Sequence, residues 1–431
     1  MGVAGLGRDG LLLPRVRQEI REVIGGAIRR RRLLVLASTY PRWAGDPEPG
    51  FVHELARRLS DHFEVLALVP HAPGALVRER LDGVEIIRYR YAPERFERLV
   101  NDGGIVANLK RSPWKYLLLP GFALAQLWMA WRLARARGID VVHAHWLLPQ
   151  GLIAILLQWL PGPRVPCLIT SHGADLYALK GRPMDVLKRF VARRASALTV
   201  VSGAMREELS RIGVDRETVR VQSMGVDLRA RFTPDPAVSR SGDELLFVGR
   251  LVEKKGLRYL IDSLPSVLDA RPTAFLTVAG FGPEETELRK RVEALGLGDK
   301  VHFVGAVQQS ALPDMYRRAA LFIAPFVRAS SGDQEGLGLV LVEAAGCGCP
   351  ILAGDVPALD EVLGNAFGDM LVDPRDVGVL ARRIVSALGD PGAIRQRADQ
   401  LRQSLRDRFD WESVRDAYVS LLEAADGDAR R

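Results

Sequence analysis

At 431 residues, 48% of them hydrophobic and 26% charged, the chain is too long for one ordinary core and suits two α/β domains of roughly 200 residues each. Its three cysteines, Cys167, Cys347 and Cys349, exclude a disulfide framework or paired zinc motif and read as free thiols of a reducing cytoplasm; neither a secretory signal nor the ~18 uninterrupted apolar residues of a membrane span is read. The net charge of +8 is uneven, with 34 Lys and Arg against 21 Asp and Glu in residues 1–224 and 26 against 31 in residues 225–431, yet no basic module interleaved with aromatics marks a nucleic-acid binder.

Residues 1–32 form a basic extension without a strand pattern. The short apolar run 33–37 reads as a buried parallel strand, and a loop rich in Pro and Gly follows, from Pro41 to Gly50. Helical periodicity is predicted over 51–60, and strands over 65–69, 84–90, 141–145, 167–170 and 197–201. An apolar helix is predicted over 151–160, and Ser202 is placed to cap the helix that follows it. Residues 225–241, with Gly225, Pro234 and Pro236, break the rhythm and read as an interdomain linker. A second alternation follows, with strands at 244–248, 275–279, 301–304, 321–324 and 350–353, and helices at 257–268 and 284–295. Strands that alternate with helices imply parallel, doubly wound sheets.

In such sheets ligands bind at the carboxyl ends of strands, so side chains that directly follow strands are the candidates. In the turn 249–256, Gly249 precedes Arg250, whose planar fork suits phosphate oxygens, and Lys255 adds a point charge. Two cations before a helix suit a diphosphate, although a solvated basic turn has the same composition. Further on, Glu335, Gly336, Leu337, Gly338 and Leu339 lead into a helix predicted over 340–346. The glycines let the backbone approach a ligand, and free amides at a helix start attract phosphate. Glu335 and Glu343 are expected ~12 Å apart along that helix, the reach from a hexose across a diphosphate to a ribose. A carboxylate accepts hydrogen bonds from two vicinal hydroxyls; one buried, paired glutamate is the structural alternative. Gly280 and Gly282 make a glycine turn after a strand, as an ordinary tight turn also does. His172 ends another strand. His143 and His145 share a strand face beside Trp146, without a third ligand at metal spacing.

Together these motifs resemble the family 4 retaining glycosyltransferases. The resemblance runs from about Leu33 to Ala425 and rests on the 249–256 turn, Glu335 with Glu343, the 280–282 turn and the segment 301–305. In the first half it rests on 142–146, 171–173 and Val226 with Asp227. It implies the GT-B fold, an α/β architecture of two facing Rossmann-like, doubly wound domains with a cleft between them. Residues 33–224 would bind the acceptor and 242–408 the nucleotide-sugar donor. A helix within 409–431, starting near Trp411, would cross back to the first domain.

The resemblance also implies residue roles. Arg250 and Lys255 would bind the donor diphosphate, with Gly249, Gly280 and Gly282 on the same side. Glu343 would hold the ribose, and Val304 would lie near the base. Glu335 would touch the donor sugar beside the amides of Gly336, Leu337, Gly338 and Leu339. His172 would sit at the transfer point, which makes it catalytic together with Glu335, Arg250 and Lys255. Gly50, Phe51, His145 and Trp146 would face the acceptor. The implied reaction moves a hexose with retention from a UDP- or GDP-linked donor to a glycan or lipid-linked acceptor, in cell-surface polysaccharide or glycolipid synthesis, without metal or cofactor. The loop 43–51 departs from the double glycine of many relatives and is closer to those of exopolysaccharide and cell-wall polymer synthesis; Met224 stands where Asn is common. A nucleotide-sugar epimerase of the same fold and an inactive membrane-associated scaffold are the competing readings.

The basic first half also holds Trp114, Leu117, Leu124 and Trp131, followed by Arg132, Arg135 and Arg137. Interrupted at Pro120 and Gly121, this segment is expected to be too short to span a bilayer and to lie as an interfacial helix; a core helix on the sheet carries the same stripe. The expected partners are therefore donor, acceptor and an anionic membrane surface at its cytoplasmic face, and not nucleic acid.

Overall fold

The computed structural model describes residues 29–46, 50–101 and 104–429. The basic stretch 1–28, and Pro47, Glu48 and Pro49 of the loop before Phe51, lie outside the described residues. Apolar runs bounded by turns build two sheets. The first contains β1 (Arg31–Leu36), β2 (Phe63–Pro70), β3 (Arg78–Leu81), β4 (Val84–Tyr89), β5 (Val141–His145), β6 (Cys167–Ser171), β7 (Ala197–Val200) and β8 (Val219–Val221). Its order is β3-β4-β2-β1-β5-β6-β7-β8, parallel except for β3. The second contains β9 (Glu244–Val248), β10 (Phe275–Ala279), β11 (Val301–Gly305), β12 (Leu321–Ala324), β13 (Ile351–Gly354) and β14 (Leu371–Val372). Its order is β11-β10-β9-β12-β13-β14, parallel throughout. These are two Rossmann-like, doubly wound domains, and the strand cores are almost fully buried because helices cover both faces.

The first strand starts at Arg31 rather than Leu33. The backbones of Arg31 and Arg32 pair with Phe63 and Glu64, and the Arg32 guanidinium meets Glu64 at 2.7 Å. Charged side chains end a buried strand without breaking its ladder.

The helix Leu118–Arg137 is continuous through Pro120 and Gly121, which corrects the expected interruption. Pro120 falls in the first turn, where a missing N–H costs nothing. At Gly121 a Cβ would lie 2.7 Å from the Tyr91 carbonyl oxygen, so glycine lets the helix pack closely. With the turn before it, the helical segment Pro113–Arg137 is long and apolar enough to cross a membrane by length and composition. Here one face of it packs on the sheet instead. Phe122, Gln126, Ala130 and Leu133 are buried, and Gln126 donates to the Leu68 carbonyl on β2 at 3.3 Å.

Ser202 occupies the first position before the helix Gly203–Arg211, but its hydroxyl caps nothing. The amide of Gly203 donates instead to the Glu361 carboxylate of the second domain at 3.0 Å. The helix Trp411–Ala429 returns to the first domain and packs on the helix Phe51–Leu59 and on β5 and β6. Gly225 permits this, since a Cβ there would lie 2.5 Å from the Trp411 ring. Arg58 stacks over the same ring at 4.7 Å.

Candidate active site

Strand order reverses between β1 and β5 in one sheet and between β9 and β12 in the other. Crevices open at the carboxyl ends of strands at such points. The loops around the two crevices meet across the cleft with almost no space between their backbones. A Cβ on Gly336, after β12, would lie 2.6 Å from the His172 carbonyl oxygen, after β6. A Cβ on Gly173 would lie 3.1 Å from the Gly336 Cα, and Gly173 has a φ of +106°. Only glycine fits either position.

On the second domain, Lys255 ends a short turn after β9 and donates to Glu335 at 2.7 Å. Its ammonium also lies 4.2 Å from the Phe326 ring centroid. Gly256 follows in the left-handed region, where a Cβ would lie 1.7 Å from the Pro325 carbonyl oxygen. The β9 and β12 loops can therefore close on each other. Burial lowers the Lys255 pKa, while Glu335 opposes that shift. Burial alone would raise Glu335, but Lys255, Lys254 and the Gly338 amide outweigh it and hold the carboxyl at about 2. Lys254 ties the same loop down through Asp333 at 3.3 Å and the Gln334 carbonyl at 3.1 Å. Arg250 is half-buried, and its charge adds to the destabilisation of the Lys255 ammonium.

The glycine turn after β10 has its α-carbons against the β9 loop. Cβ atoms on Gly280 and Gly282 would lie 1.9 Å and 2.4 Å from the carbonyl oxygens of Gly249 and Leu251. Both glycines thus hold the backbone on either side of Arg250. The expected 12 Å helical separation of Glu335 and Glu343 is corrected, because the helix is Leu339–Gly346 and Glu335 stands in the loop ahead of it. Gly338 ends that loop in the left-handed region, and Leu337 is buried. Glu343 is buried and accepts from Gln309 at 2.9 Å and from Tyr316 at 3.0 Å. Burial pushes its carboxyl up to about 7, against the pull of those two hydrogen bonds. Val304 is exposed on β11.

On the first domain, His172 is the tip of an aromatic cluster. Its ring lies 4.9 Å from Phe51 and 5.2 Å from Trp146, which adopts a φ of +77°. His145 stacks on it, with Nδ1 and Nε2 of the two rings 2.9 Å apart. His145 is buried and touches the cleft through His172. Behind it, His143 bonds Thr170 at 2.8 Å, which bonds Thr199 at 2.7 Å. Burial holds His172 and His143 at about 3 and His145 well below its ordinary value, with the neighbouring histidine charges adding to the shift in His172 and His145. The three rings are neutral near pH 7, so His172 offers a positioned hydrogen bond rather than a charge. Gly50 precedes the helix Phe51–Leu59, and its carbonyl accepts from the Glu54 amide at 2.8 Å.

The structure therefore brings Lys255, Glu335, Gly336 and His172 together, with Arg250 flanking on the second domain and Phe51 and Trp146 on the first. Glu343 is buried against Gln309 and Tyr316, and Val304 is exposed on β11; among the described residues, no hydrogen bond or ion pair joins either to Lys255, Glu335, Gly336 or His172. Lys254 and Glu361 were not foreseen. Lys254 is masked in sequence by the lysine beside it, and Glu361 lies 158 residues from the amide it binds. Among the described residues, no group of three or more His, Cys, Asp or Glu side chains could hold a metal ion.

The family described as Glycosyltransferase Family 4 matches residues 51–230, and Glycosyl transferases group 1 matches residues 234–407. Glycogen synthase of Mycobacterium tuberculosis is 31% identical over 293 residues, covering 66% of this chain and 69% of that one. The GDP-mannose-dependent alpha-(1-6)-phosphatidylinositol monomannoside mannosyltransferase of the same organism is 28% identical over 309 residues, covering 68% and 78%. Among solved structures, sucrose-phosphate synthase from Thermosynechococcus elongatus superposes with a TM-score of 0.72 at 22% identity, covering 91% and 98%. Anabaena HepE in complex with UDP-glucose superposes with a TM-score of 0.69 at 17% identity, covering 91% and 99%.

Proposed function

This chain is a glycosyltransferase of family 4 with the GT-B fold, and from that premise we propose that it moves a hexose, with retention, from a nucleoside diphosphate sugar to a glycan or lipid-linked acceptor. The observation that carries the reading is the partly buried Lys255–Glu335 pair, set at the switch point of the second sheet. It faces His172 across a contact that only glycine allows. Related proteins named for GDP-mannose and crystallised with UDP-glucose support a diphosphate donor.

The chemistry follows from the charges. As the bond between sugar C1 and the diphosphate breaks, its electron pair leaves on the phosphate oxygen. Lys255, Arg250 and the amides of Gly336, Leu337 and Leu339 would stabilise that charge. Glu335, held ionised by the lysines, accepts hydrogen bonds from sugar hydroxyls. Neutral His172 bonds the sugar from the other side, and the Phe51 and Trp146 rings give the acceptor an apolar wall. The acceptor oxygen bonds C1 on the face that the diphosphate leaves, and its proton passes to the leaving phosphate. Glu343 reaches the ribose once Gln309, on an exposed loop, swings away from it. In this mechanism the protein's cations neutralise the diphosphate without a divalent metal, so activity persists in a chelator. The acceptor arrives from an anionic membrane surface, at its cytoplasmic face, which the first domain touches.

The test is incubation with labelled UDP- and GDP-hexoses, with and without a lipid-linked acceptor. Transfer that depends on the acceptor is expected, and Glu335→Ala and Lys255→Ala should each lower turnover by about 100-fold or more. Release of an altered sugar without acceptor would favour an epimerase. Near-normal rates in both variants, with an identified donor, would overturn the site assignment.

A further inference from the structure

A second cavity, of about 740 Å³, opens between the domains beside the proposed sugar site. That volume is ample for a saccharide. Its first-domain wall follows β6 and β7, on the far side of β6 from β1 and β5. It is therefore not the wall formed by Phe51 and Trp146. Its second-domain wall includes Gly332 and Gln334, the approach to Glu335.

The lining is full of charge, but most of that charge is already spent. Asp185 pairs with Lys188, Glu207 with Arg216, Glu208 with Arg211, and Glu361 with Arg408. Lys180, Arg206 and Arg328 have no ion pair among the described residues, and Asp360, an exposed carboxylate, is the one lining acid that also has none there, so the unpaired charge of the lining is three cations against one anion. Two of these cations come from opposite domains and converge. A Cβ on Gly332 would lie 1.7 Å from the Lys180 ammonium and 3.8 Å from an Arg328 guanidinium nitrogen. Two buried donors face the same space. The Arg206 Nε has no hydrogen-bond partner. Tyr177 is 3% exposed, and its hydroxyl lies beside Gln334 without a hydrogen bond of normal geometry. Unmet buried donors are costly, and cations without counter-charges repel. An oxyanion supplies what all four groups lack.

We propose that this cavity is a subsite for an oxyanion, phosphate or carboxylate, carried by one of the saccharides that react at the neighbouring site. The inference rests on the glycosyltransferase reading of that site. The anion is borne either by the acceptor or by the transferred sugar. Lys180, Arg206, Arg328 and Tyr177 would hold it, so the enzyme would select charged over neutral saccharides.

Calorimetry can separate these sources. The probes are glucose, glucose 6-phosphate, glucuronate, UDP, UDP-glucose and UDP-glucuronate, with the GDP series used if GDP is the nucleotide that binds. The proteins are wild type, Lys180→Ala with Arg328→Ala, and Lys255→Ala. Wild type should bind glucose 6-phosphate or glucuronate at least roughly 10-fold more tightly than glucose, the scale of one or two charged hydrogen bonds. The double variant should lose that preference while its UDP or GDP affinity stays unchanged. A preference seen only between UDP-glucuronate and UDP-glucose, and lost in the double variant, supports an anion on the transferred sugar. No preference for any charged sugar overturns the proposal, as does a preference that survives the double substitution. A preference for the free charged sugars that vanishes in Lys255→Ala also overturns it, because the anion then occupies the diphosphate site. Failure of wild type to bind either nucleotide would count against the glycosyltransferase reading instead.

Discussion

Glu343 shows how one residue's burial sets a pH dependence. Its carboxyl is pushed up to about 7, so the fold favours the neutral form. Between the ordinary value of 4.5 and about 7 the native state holds a proton that the unfolded state has lost, so stability falls as pH rises through that window. Donor binding runs the other way if the ionised carboxylate holds the ribose. Nucleotide affinity should then rise about tenfold from pH 6 to pH 8, following the ionised fraction of a group with a pKa of 7. Titrations of nucleotide at several pH values would show this, and Glu343→Gln should flatten the profile. A wild-type affinity that is flat across that range would remove the ribose role. Gly336 supports a second prediction at the same scale. A methyl group there meets the His172 carbonyl oxygen at 2.6 Å, which is backbone and cannot move aside cheaply. Gly336→Ala should wedge the two crevices apart and lower turnover by about 10-fold or more, since small displacements of reacting groups are costly. Its thermal midpoint should stay near wild type, because neither core is touched. Unchanged turnover would mean that this contact does not set the catalytic geometry.

Among the elements, the helix Gly203–Arg211 takes its cap from the other domain. Ser202 stands where a capping side chain belongs, yet the Gly203 amide is satisfied by Glu361, itself bridged to Arg408 at 3.5 Å. Glu361→Ala leaves that amide without its carboxylate. It should cost about 1 kcal/mol, the usual value of a lost cap, or about 2–4 °C in thermal midpoint for a domain of this size. Ser202→Ala should cost less, which scanning calorimetry of both variants can check; the reverse order would return the cap to Ser202. This pair also shows what was legible beforehand. Interior strands such as Val141–His145 and Glu244–Val248 announce themselves as apolar runs between turns, because both faces are buried. The strands β3, β8 and β14 do not, being short or exposed, so only their neighbours define them. The helix Leu118–Arg137 was hidden by its proline and glycine, whose effect depends on position in the first turn. Within the site, His172 and Arg250 come straight after strands, while Lys255 and Glu335 stand in glycine-bearing loops that lead into helices; both are local patterns, which is why sequence alone could nominate them. The glycine contacts across the cleft and the second cavity are legible only in three dimensions. They join loops from separate domains, such as Gly173 and Gly336, at a spacing no local pattern encodes.

At the scale of the whole molecule, the uneven charge coincides with an unusual surface. The first domain carries most of the basic excess. The helix Leu118–Arg137 buries one face in that domain and leaves a second apolar face outside. Leu117, in the turn before the helix, is 82% exposed, Leu124 66% and Trp128 56%; they stand seven and four residues apart, which puts them along one stripe. Trp114, Tyr116 and Trp159 are also exposed, and Trp131 joins Trp128 at 4.9 Å while its indole donates to the Pro161 carbonyl. Exposed Lys110, Arg111, Arg132, Arg135 and Arg164 come from the same segments of chain. Packing on the sheet accounts for Phe122, Gln126 and Ala130, but not for tryptophans turned to solvent. Aromatic side chains ringed by arginines suit the headgroup region of a bilayer. Each cation near an anionic surface adds about 1 kcal/mol, so five give reversible binding that salt weakens. Sedimentation with vesicles should therefore show binding to anionic but not to neutral lipid at low salt, and release at high salt. Trp128→Ser with Leu124→Ser should weaken it without unfolding the domain, because both side chains are already in water. Arg132→Glu with Arg135→Glu should abolish it through charge alone. If a folded, active protein stays in the supernatant with anionic vesicles at low salt, the exposed stripe has another purpose and the acceptor reaches the cleft from solution.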